Sequence, residues 1–424
     1  MVRLCASALL LGFLLLGHTA CERDRQGASG DEAETQRALE EQLAALGYVT
    51  GSEPRGPQRG VVVHDAARVQ PGLNFYTSGH EPGAVLMDLQ GRVLHTWSAD
   101  FESIFRSHPA APGGVPADQN FWRHAQLLPG GEVIAIWERL GIFKLDRDSN
   151  VLWVRPNYAH HDFFIADSGE IYTLIVGTNV LPEIGDREIF EDFIVILDEQ
   201  GVELRRLSIA QALANADWPG LRRRFWKREA QRKHGLSPLA RLDPFHTNSI
   251  WRLSEAQANR LGAPFESGQL LVSMAMLDTI AAIDFEAGRT AWSQTGPFGL
   301  QHQPRVTPDG EIIVFNNHLT LDRSSVQILD PQTAEITWEY AGSPADPLFS
   351  RTSAGAEVLP NGNVLVVESN KGRVLELTQE QEIVWEFYNP EAVGEADELV
   401  ATLYFLDRVP VPADLSDWSS ALID

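Results

Sequence analysis

The sequence predicts an all-β fold, a six-bladed β-propeller of four-stranded antiparallel blades, and two repeated patterns support this prediction. The first is an acidic turn followed by a strand that usually contains Trp. It occurs six times, the third time without its Trp, as LMDLQGRVLHTW, LDRDSNVLW, LDEQGVELRRL, IDFEAGRTAW, LDPQTAEITW and LTQEQEIVW. The second, a Gly that opens an apolar strand, occurs as GLNFY, GEVIAIW, GEIYTL, GQLLVSM, GEIIVF and GNVLVV. Each pattern is typical of a β-hairpin. Two hairpins in each of six units favour a propeller over a sandwich or a closed barrel.

The spacing of the acidic turns predicts where the propeller is interrupted. The turns begin at Asp88, Asp146, Asp198, Asp284, Asp330 and Thr378. Most intervals are near the roughly 40–50 residues of known blade repeats, and the long third interval predicts an insertion, which reads as helical at about residues 207–242. The Trp residues at repeat positions are interpreted as packing between blades: Trp97, Trp153, Trp292, Trp338 and Trp385.

Composition excludes several classes of function. The chain has 424 residues and a net charge of −24 at pH 7. Such an acidic surface repels phosphate backbones, so we expect no nucleic-acid partner. Both cysteines, Cys5 and Cys21, precede the folded region, which excludes a disulfide framework and a Cys-ligated metal site.

The N-terminus predicts export. Arg3 is followed by an apolar run over residues 4–17, which is too short to span a membrane and is typical of a secretory signal. His18-Thr19-Ala20-Cys21 resembles a bacterial lipobox, so we expect residues 1–20 to be a lipoprotein signal peptide and Cys21 to be lipidated. The alternative is ordinary signal cleavage with Cys21 a bystander. Residues 21–60 are predicted to form a polar tether and a short helix over residues 31–46, and residues 61–424 the propeller. The expected location is the periplasmic side of a bacterial membrane.

The predicted insertion carries a basic cluster, residues 222–228, in an otherwise acidic protein. One interpretation is a solvated helix face that packs beside the propeller. The other is an interfacial element that touches anionic lipid, with Phe225 and Trp226 entering the membrane surface.

Several of the twelve histidines stand at a repeated position. His64, His161 and His302 each lie eight residues before the Gly that opens an apolar strand, and His124 lies seven before. His246 opens the corresponding strand of the fourth blade. These strands precede the Gly-led strands, so we expect them to be innermost and to line the propeller axis. Several imidazoles that converge on one channel indicate a site rather than packing, because buried imidazoles need partners.

Two chemistries suit such a site. Imidazoles bind divalent metals such as zinc or copper. Alternatively, one His attacks as a nucleophile while its neighbours stabilise a transferred anionic group. Asn248, two residues after His246, shares its strand face and would supply an amide donor.

The segments HHDFFIADSGEIYTL, DPFHTNSIWRL, LLVSMAMLDTIAAID, LQHQPRVTPDGEIIVFNNH and AEVLPNGNVLVVESNKGRVLEL resemble the bacterial arylsulfate sulfotransferase family. The resemblance covers roughly Val61 to Pro410. It implies an exported six-bladed propeller that moves a sulfuryl group from an aryl sulfate donor to a phenolic acceptor, with no nucleotide donor and no cofactor. The sequence contains no Gly-rich phosphate-binding loop, which is consistent with this implication.

The resemblance also implies roles for individual residues. His302, in Gln301-His302, matches the family's transiently sulfated nucleophile. His246 and Asn248 match its His-x-Asn pair, and His161 matches another axial His. The implied mechanism is ping-pong, with a sulfohistidine intermediate and an acceptor phenol that a neighbouring His deprotonates. Four further residues are candidates for the site: His124, His160, Arg351 and Asn317. Asn317 either borders the site or simply ends a strand.

One position departs from the family pattern. The family carries an Arg in a Ser-x-Arg context after the fourth-blade strand, where it contacts the sulfuryl oxygens. Here Ser273 is followed by Met274 and Ala275, so that Arg is missing. The candidates to replace it are Arg305, Arg351 or a protonated axial His, with Arg351 first; the alternative for Arg351 is a surface charge. The competing functional hypothesis is a non-catalytic or metal-binding propeller lipoprotein that binds a ligand or a partner.

Overall fold

Six antiparallel sheets are arranged as the blades of a propeller in the computed structural model, which describes residues 53–105, 120–182, 184–186, 188–215, 220–225, 243–317, 323–394 and 396–415. Each blade contains four strands of the propeller, as the two repeated patterns predict. From blade 2 to blade 6, the first strand of each blade contacts the first strand of the next, which makes these the innermost strands.

The strands follow the chain in blade order, after β1 (Gly60–His64). Blade 1 contains β2 (Leu73–Ser78), β3 (Gly83–Met87) and β4 (Val93–Ser98). Blade 2 contains β5 (Trp122–Leu127), β6 (Val133–Trp137), β7 (Gly141–Leu145) and β8 (Val151–Arg155). Blade 3 contains β9 (Ala159–Ile165), β10 (Ile171–Val180), β11 (Glu188–Leu197) and β12 (Glu203–Ser208). Blade 4 contains β13 (Thr247–Arg252), β14 (Leu270–Met274), β15 (Thr279–Asp284) and β16 (Arg289–Thr295).

Blade 5 contains β17 (His302–Val306), β18 (Ile312–Asn316), β19 (Ser325–Leu329) and β20 (Ile336–Tyr340). Blade 6 contains β21 (Gly355–Val358), β22 (Val364–Glu368), β23 (Arg373–Leu377) and β24 (Ile383–Tyr388). A small two-stranded sheet follows, β25 (Ala392–Val393) with β26 (Leu399–Val400), and then β27 (Leu403–Val409).

The two ends of the propeller domain close the ring. Strand β27 pairs with β2 and is the innermost strand of blade 1, although it lies at the opposite end of the chain. Strand β1 pairs with β24 and adds a fifth strand to the outer edge of blade 6. His64, the last residue of β1, therefore lies at the periphery and pairs with Trp385. The expectation that His64 lines the axis is wrong, because the C-terminal strand takes that place.

The repeated turn and Trp stabilise each blade and its junction with the next. The first three turn carboxylates accept backbone N–H groups two and four residues further on, as Asp146 Oδ1 does from Asp148 and Asn150 at 2.9 and 2.8 Å. Five Trp residues each donate the indole N–H to a backbone carbonyl of the following blade. These pairs are Trp97 to Gly131, Trp153 to Glu199, Trp292 to Pro331, Trp338 to Gln379 and Trp385 to Leu89. The predicted packing of Trp residues between blades is confirmed.

The hydrophobic core is divided among the blade junctions. Each of the six core clusters combines apolar residues from two adjacent blades, such as Leu174 of blade 3 with Val272 of blade 4. Because the apolar surface lies between blades, the ends of the innermost strands are left to polar side chains.

Short helices occur at the outside of the propeller: α1 (Phe101–Phe105), α2 (Ile209–Ala212) and α3 (Glu255–Leu261). Residues 220–225, within the predicted insertion, are also helical. Leu221 and Phe225 of this segment are buried in the core cluster between blades 3 and 4, whereas residues 222–224 are exposed. This arrangement agrees with a solvated face that packs beside the propeller. Insertion of Phe225 into a membrane surface is contradicted, because its side chain is already in the core.

Residues 1–20, Cys21, Trp226 and the predicted helix over residues 31–46 lie outside the described residues. None of the helices in the described part of the chain has the length and apolar character that crossing a membrane requires.

Candidate functional site

Irregular backbone at the ends of four innermost strands positions the candidate residues. Strands β5, β9, β13 and β17 each have a register shift against the next strand, and these shifts coincide with Arg123, His160 to Asp162, Asn248 and Gln303. His161, His246 and Gln303 also have positive φ, at 58°, 47° and 46°. Bulges re-aim side chains and are frequent beside active sites, and left-handed non-Gly residues cluster at such sites.

These strands surround a cavity of about 270 Å³, counting the part open to solvent. Polar and aromatic side chains line it together: Arg123, His124, His161, Asn248, His302, Gln303, Ser353, Ala354, Tyr404 and Phe405. Four candidates named from the sequence, His124, His161, Asn248 and His302, thus share one cavity. His160, His246 and Asn317 lie directly behind these residues rather than among those lining it.

His302 is held in one tautomer. Its Nδ1 lies 2.8 Å from Asn317 Oδ1 and 3.0 Å from the Leu300 carbonyl. The Asn317 amide is itself oriented, because its Nδ2 donates to the Ser350 and Ser353 carbonyls at 2.8 and 2.9 Å. Both neighbours of Nδ1 are acceptors, so Nδ1 carries the proton and Nε2 keeps its lone pair. Burial, together with the charge of Arg123, lowers the pKa of His302 to about 3 despite the Asn317 hydrogen bond. The imidazole is therefore neutral at physiological pH.

Asn248 is fixed through the neighbouring blade. Its Nδ2 donates to the Gln301 carbonyl at 2.8 Å, and Gln301 is held in turn by bonds from its Nε2 to Ser273 and Thr279. Asn248 Oδ1 is buried and has no hydrogen-bond partner within the described part of the chain. Asn248 thus lines the same cavity as His302, and its amide oxygen is left without a hydrogen bond among the described residues.

His161 stands in a buried polar cluster. Its Nδ1 lies 2.8 Å from His160 Nδ1 and 3.4 Å from Glu138 Oε1, and its backbone N–H donates to Glu138 Oε2 at 2.9 Å. Burial and the charge of Arg123 lower the pKa of His161 well below its ordinary value, and burial lowers that of His160 to about 3. Both imidazoles are neutral at physiological pH. Among the described residues, Glu138, His160 and His161 are the group whose geometry could hold a metal ion.

His246 forms a dyad with Asp243. Its Nδ1 is 2.7 Å from Asp243 Oδ2, and its backbone N–H donates to Asp243 Oδ1 at 3.0 Å. Burial alone would raise the pKa of the Asp243 carboxyl, but His246 and Arg139 hold it below its usual range. The carboxylate is therefore ionised and accepts from Nδ1. The His246 ring meets the His161 ring edge-on, at 4.9 Å between centroids.

His124 is packed rather than mobile. Its ring lies between those of Phe163 and Phe405, at 4.8 and 4.3 Å, and its Nδ1 is 2.7 Å from Asp162 Oδ1. Asp162 Oδ2 also accepts the backbone N–H of Ile250. His124 thus links strands β5, β9 and β13 at the cavity wall.

Sequence reasoning missed Arg123, the cation at the cavity. Its Nη1 donates to Ser353 Oγ at 2.8 Å, and its guanidinium lies 4.7 Å from the centre of the Tyr404 ring. Arg123 Nε is buried and has no hydrogen-bond partner within the described residues. The sequence did contain an indication of this residue, because Arg123 directly precedes His124 in a strand that is predicted to line the axis.

The structure does not bring Arg351, the first candidate for the missing cation, to the site. Arg351 is exposed and is not among the residues that line the cavity. It precedes strand β21 on the outside of the turn, whereas its neighbours Ser353 and Ala354 face inward. Arg305 lies deeper, 3.6 Å from Asp162 and over the Trp251 ring. Ala275 is buried in a tight turn after β14.

Taken together, the cavity offers an oriented neutral imidazole, a buried guanidinium and an amide, and the carboxylate-linked imidazole of His246 lies behind its wall. A nucleophile, an anion-stabilising cation and an acid–base group are the components of covalent group transfer.

Comparison with known proteins places this arrangement in a family and a fold. A family model described as Arylsulfotransferase (ASST) matches residues 124–390, more than half of the chain. No curated protein matches the chain significantly. A solved structure of a protein of unknown function from Bacteroides caccae aligns with 10% identity and a TM-score of 0.50, over 80% of this chain and 98% of that one. A streptogramin B lyase aligns with 12% identity and a TM-score of 0.42, over 85% and 96%. BamB from Moraxella catarrhalis aligns with 14% identity and a TM-score of 0.36, over 82% and 85%.

Proposed function

Since the chain belongs to the arylsulfotransferase family, we propose that it transfers a sulfuryl group from an aryl sulfate to a phenol through a covalent adduct on His302. The observation that carries this proposal is the tautomer of His302. Its Nδ1 faces two acceptors, Asn317 Oδ1 and the Leu300 carbonyl, so the lone pair stands on Nε2 of a residue that lines the cavity.

In the first half-reaction, the Nε2 lone pair of His302 attacks the donor sulfur. The bond from sulfur to the aryl oxygen breaks, and the phenolate leaves with the electron pair of that bond. The imidazole gains positive charge as the N–S bond forms, and the two oxygens that accept from Nδ1 stabilise it.

In the second half-reaction, an acceptor phenol loses its proton to a base, and its oxygen attacks the same sulfur. The N–S bond breaks and its electron pair returns to Nε2. The enzyme is restored, and the product is a new aryl sulfate. Such a ping-pong sequence replaces one difficult displacement with two similar ones.

Arg123 replaces the family's missing cation in this proposal. The sulfuryl oxygens carry negative charge throughout, and a guanidinium held in place by Ser353 and Tyr404 stabilises them without reorganising. Asn248 and His161 line the same cavity and position the group. The cation thus comes from blade 2 rather than from the fourth-blade position occupied by Ala275.

The His246–Asp243 dyad moves the protons. Nδ1 of His246 is held by the Asp243 carboxylate, so Nε2 is the atom left to exchange protons, from behind the residues that line the cavity, with the acceptor and the leaving phenolate. The side chain of His246 is 22% exposed, more than those of His124 and His161, which suits exchange with solvent.

The proposal includes export and lipidation at Cys21, which rest on residues 1–21 alone. Substitution Cys21→Ala is expected to move the protein from the membrane fraction to the soluble periplasmic fraction. Retention of the variant in membranes would contradict anchoring by this residue.

The function is tested with 4-nitrophenyl sulfate as donor, with and without phenol. We expect sustained nitrophenol release only when phenol is present, and no requirement for a nucleotide sulfate. Absence of release across a panel of donors and acceptors would contradict transfer and favour a propeller that only binds a ligand.

A further inference from the structure

Glu138, His160 and His161 form a group of metal-ligating side chains at the cavity wall, of which His161 lines the cavity. One ligand atom from each lies within 4.8 Å of the others, and the three residues are 1%, 3% and 5% exposed. We infer that this group binds one divalent transition-metal ion. The inference does not depend on sulfuryl transfer, and the catalytic steps above do not pass through the metal.

The backbone is bent to bring the two imidazoles together. Consecutive side chains in a regular strand point to opposite faces, yet Nδ1 of His160 and Nδ1 of His161 are 2.8 Å apart. The positive φ of His161, 58°, and the register shift of β9 against β10 produce this juxtaposition. A left-handed non-Gly residue is strained and persists where the surroundings impose it.

The two Nδ1 atoms share a hydrogen bond, which a bound ion would replace, and the Glu138 carboxylate has an unused oxygen. Glu138 Oε2 accepts the His161 backbone N–H at 2.9 Å, and this bond fixes the carboxylate. Glu138 Oε1, which is 3.4 Å from His161 Nδ1, has no hydrogen-bond partner among the described residues. Donor atoms about 2.1 Å from one ion are themselves about 3.0–3.4 Å apart. The observed separations of 2.8 and 3.4 Å are close to this range.

An outer carboxylate completes the arrangement. His160 Nε2 is buried, lacks a hydrogen bond within the described chain, and lies 3.5 Å from Asp192 Oδ1. A metal-bound His commonly directs its second nitrogen to a carboxylate, which orients the ring and strengthens the ligand. Two imidazoles and one carboxylate suit zinc and its neighbours in the first transition row.

Two guanidinium groups compete with the ion for Glu138. Arg123 Nε is 3.7 Å from Glu138 Oε2, and Arg139 Nε is 3.8 Å from Oε1. Both distances exceed those of a hydrogen bond, and Arg139 also contacts Asp243 at 3.5 Å. If Glu138 serves only as a counter-ion for these arginines, the group will take up no metal, and this is the alternative that the experiment decides.

The test measures metal content and zinc affinity of the full-length chain. After dialysis against a chelator, calorimetric titration with Zn²⁺ is expected to show one site. His160→Gln should weaken that site more than about 100-fold, and Asp192→Asn about 10- to 100-fold. His80→Gln, a His remote from the cavity, is the control and should bind zinc as the unmodified chain does.

Absence of a stoichiometric zinc site in the unmodified chain would overturn the inference. A zinc affinity of His160→Gln equal to that of the unmodified chain would also overturn it. If His160→Gln does not fold, Asp192→Asn decides in its place: unchanged affinity in that variant would refute the arrangement. Sulfation of His302 is measured independently by mass spectrometry. An adduct formed by a chain that binds no zinc would refute the metal site and leave the proposed transfer standing.

Discussion

Asn317 Oδ1 lies 2.8 Å from His302 Nδ1, and this contact decides which nitrogen of His302 carries the proton. Asn317 follows strand β18, and His302 begins strand β17 beside it. The amide cannot rotate without losing its bonds to the Ser350 and Ser353 carbonyls. Asn317 is therefore a positioning residue: it holds the proton of His302 on Nδ1 and leaves the lone pair on Nε2, the atom that attacks in the proposed transfer.

Substitution Asn317→Ala should slow sulfation of His302 on the order of 10²-fold. The loss is partial, because the Leu300 carbonyl still accepts from Nδ1. The Ser350 and Ser353 carbonyls would also lose their hydrogen bonds from Asn317, which should reduce the free energy of unfolding by about 1–3 kcal/mol. Asn363→Ala, which removes a buried amide in the turn between β21 and β22, is the control. Equal rate losses in the two variants, measured by single-turnover nitrophenol release, would mean that Asn317 acts only on stability.

Substitution Arg123→Gln should lower the transfer rate by about 10²- to 10³-fold, since it removes the cation that faces the sulfuryl oxygens. Steady-state kinetics with 4-nitrophenyl sulfate measure the effect. Arg351→Gln is the matched control, because Arg351 is exposed and is not among the residues lining the cavity. A large loss in Arg351→Gln with an active Arg123→Gln would contradict the assignment of the cation.

Substitution Asp243→Asn should affect donors with poor leaving groups most. Phenyl sulfate needs a proton on the departing oxygen, whereas 4-nitrophenolate leaves without one. Loss of the carboxylate that holds His246 should therefore slow phenyl sulfate on the order of 10²-fold or more, and 4-nitrophenyl sulfate much less. Equal losses with the two donors would show that Asp243 does not act through proton transfer.

Stability should fall in acid because of His302. Its pKa is lowered to about 3 in the folded protein, against about 6.5 in the unfolded chain. Between these values the unfolded chain binds a proton that the folded chain does not, so the free energy of unfolding decreases as pH falls through this window. His302→Gln removes this contribution, up to about 1.4 kcal/mol per pH unit. Urea unfolding at a series of pH values measures how the free energy of unfolding depends on pH in the unmodified protein and in His302→Gln. Parallel dependences in the two proteins would contradict a buried neutral His302.

Local chemistry made the architecture predictable from the sequence. The first side chain of each turn accepts a backbone N–H group of its own turn, and in five of the six repeats a Trp reaches the next blade, so most repeats carry both interactions that define them. The register of the histidines then indicated the axial strands. This reasoning failed at His64, because the innermost strand of blade 1 is β27, which no local pattern near His64 could reveal.

The site was less predictable, since its side chains are directed by irregular backbone. A bulge at Arg123 turns this residue toward the cavity beside His124, whereas regular alternation would place the two on opposite faces. Arg351 was favoured from its position before an axial strand, but the chain turns inward only at Ser353. The Asp243–His246 dyad depends on a left-handed residue, which sequence alone does not indicate.

The most direct test of the account is to identify the modified residue after exposure to donor without acceptor. Peptide mass spectrometry of the protein incubated with 4-nitrophenyl sulfate should find one sulfuryl group, on His302, that disappears when phenol is added. His302→Ala should carry no adduct and release no nitrophenol. An adduct on another residue, or acceptor-dependent turnover in His302→Ala, would contradict the central claim.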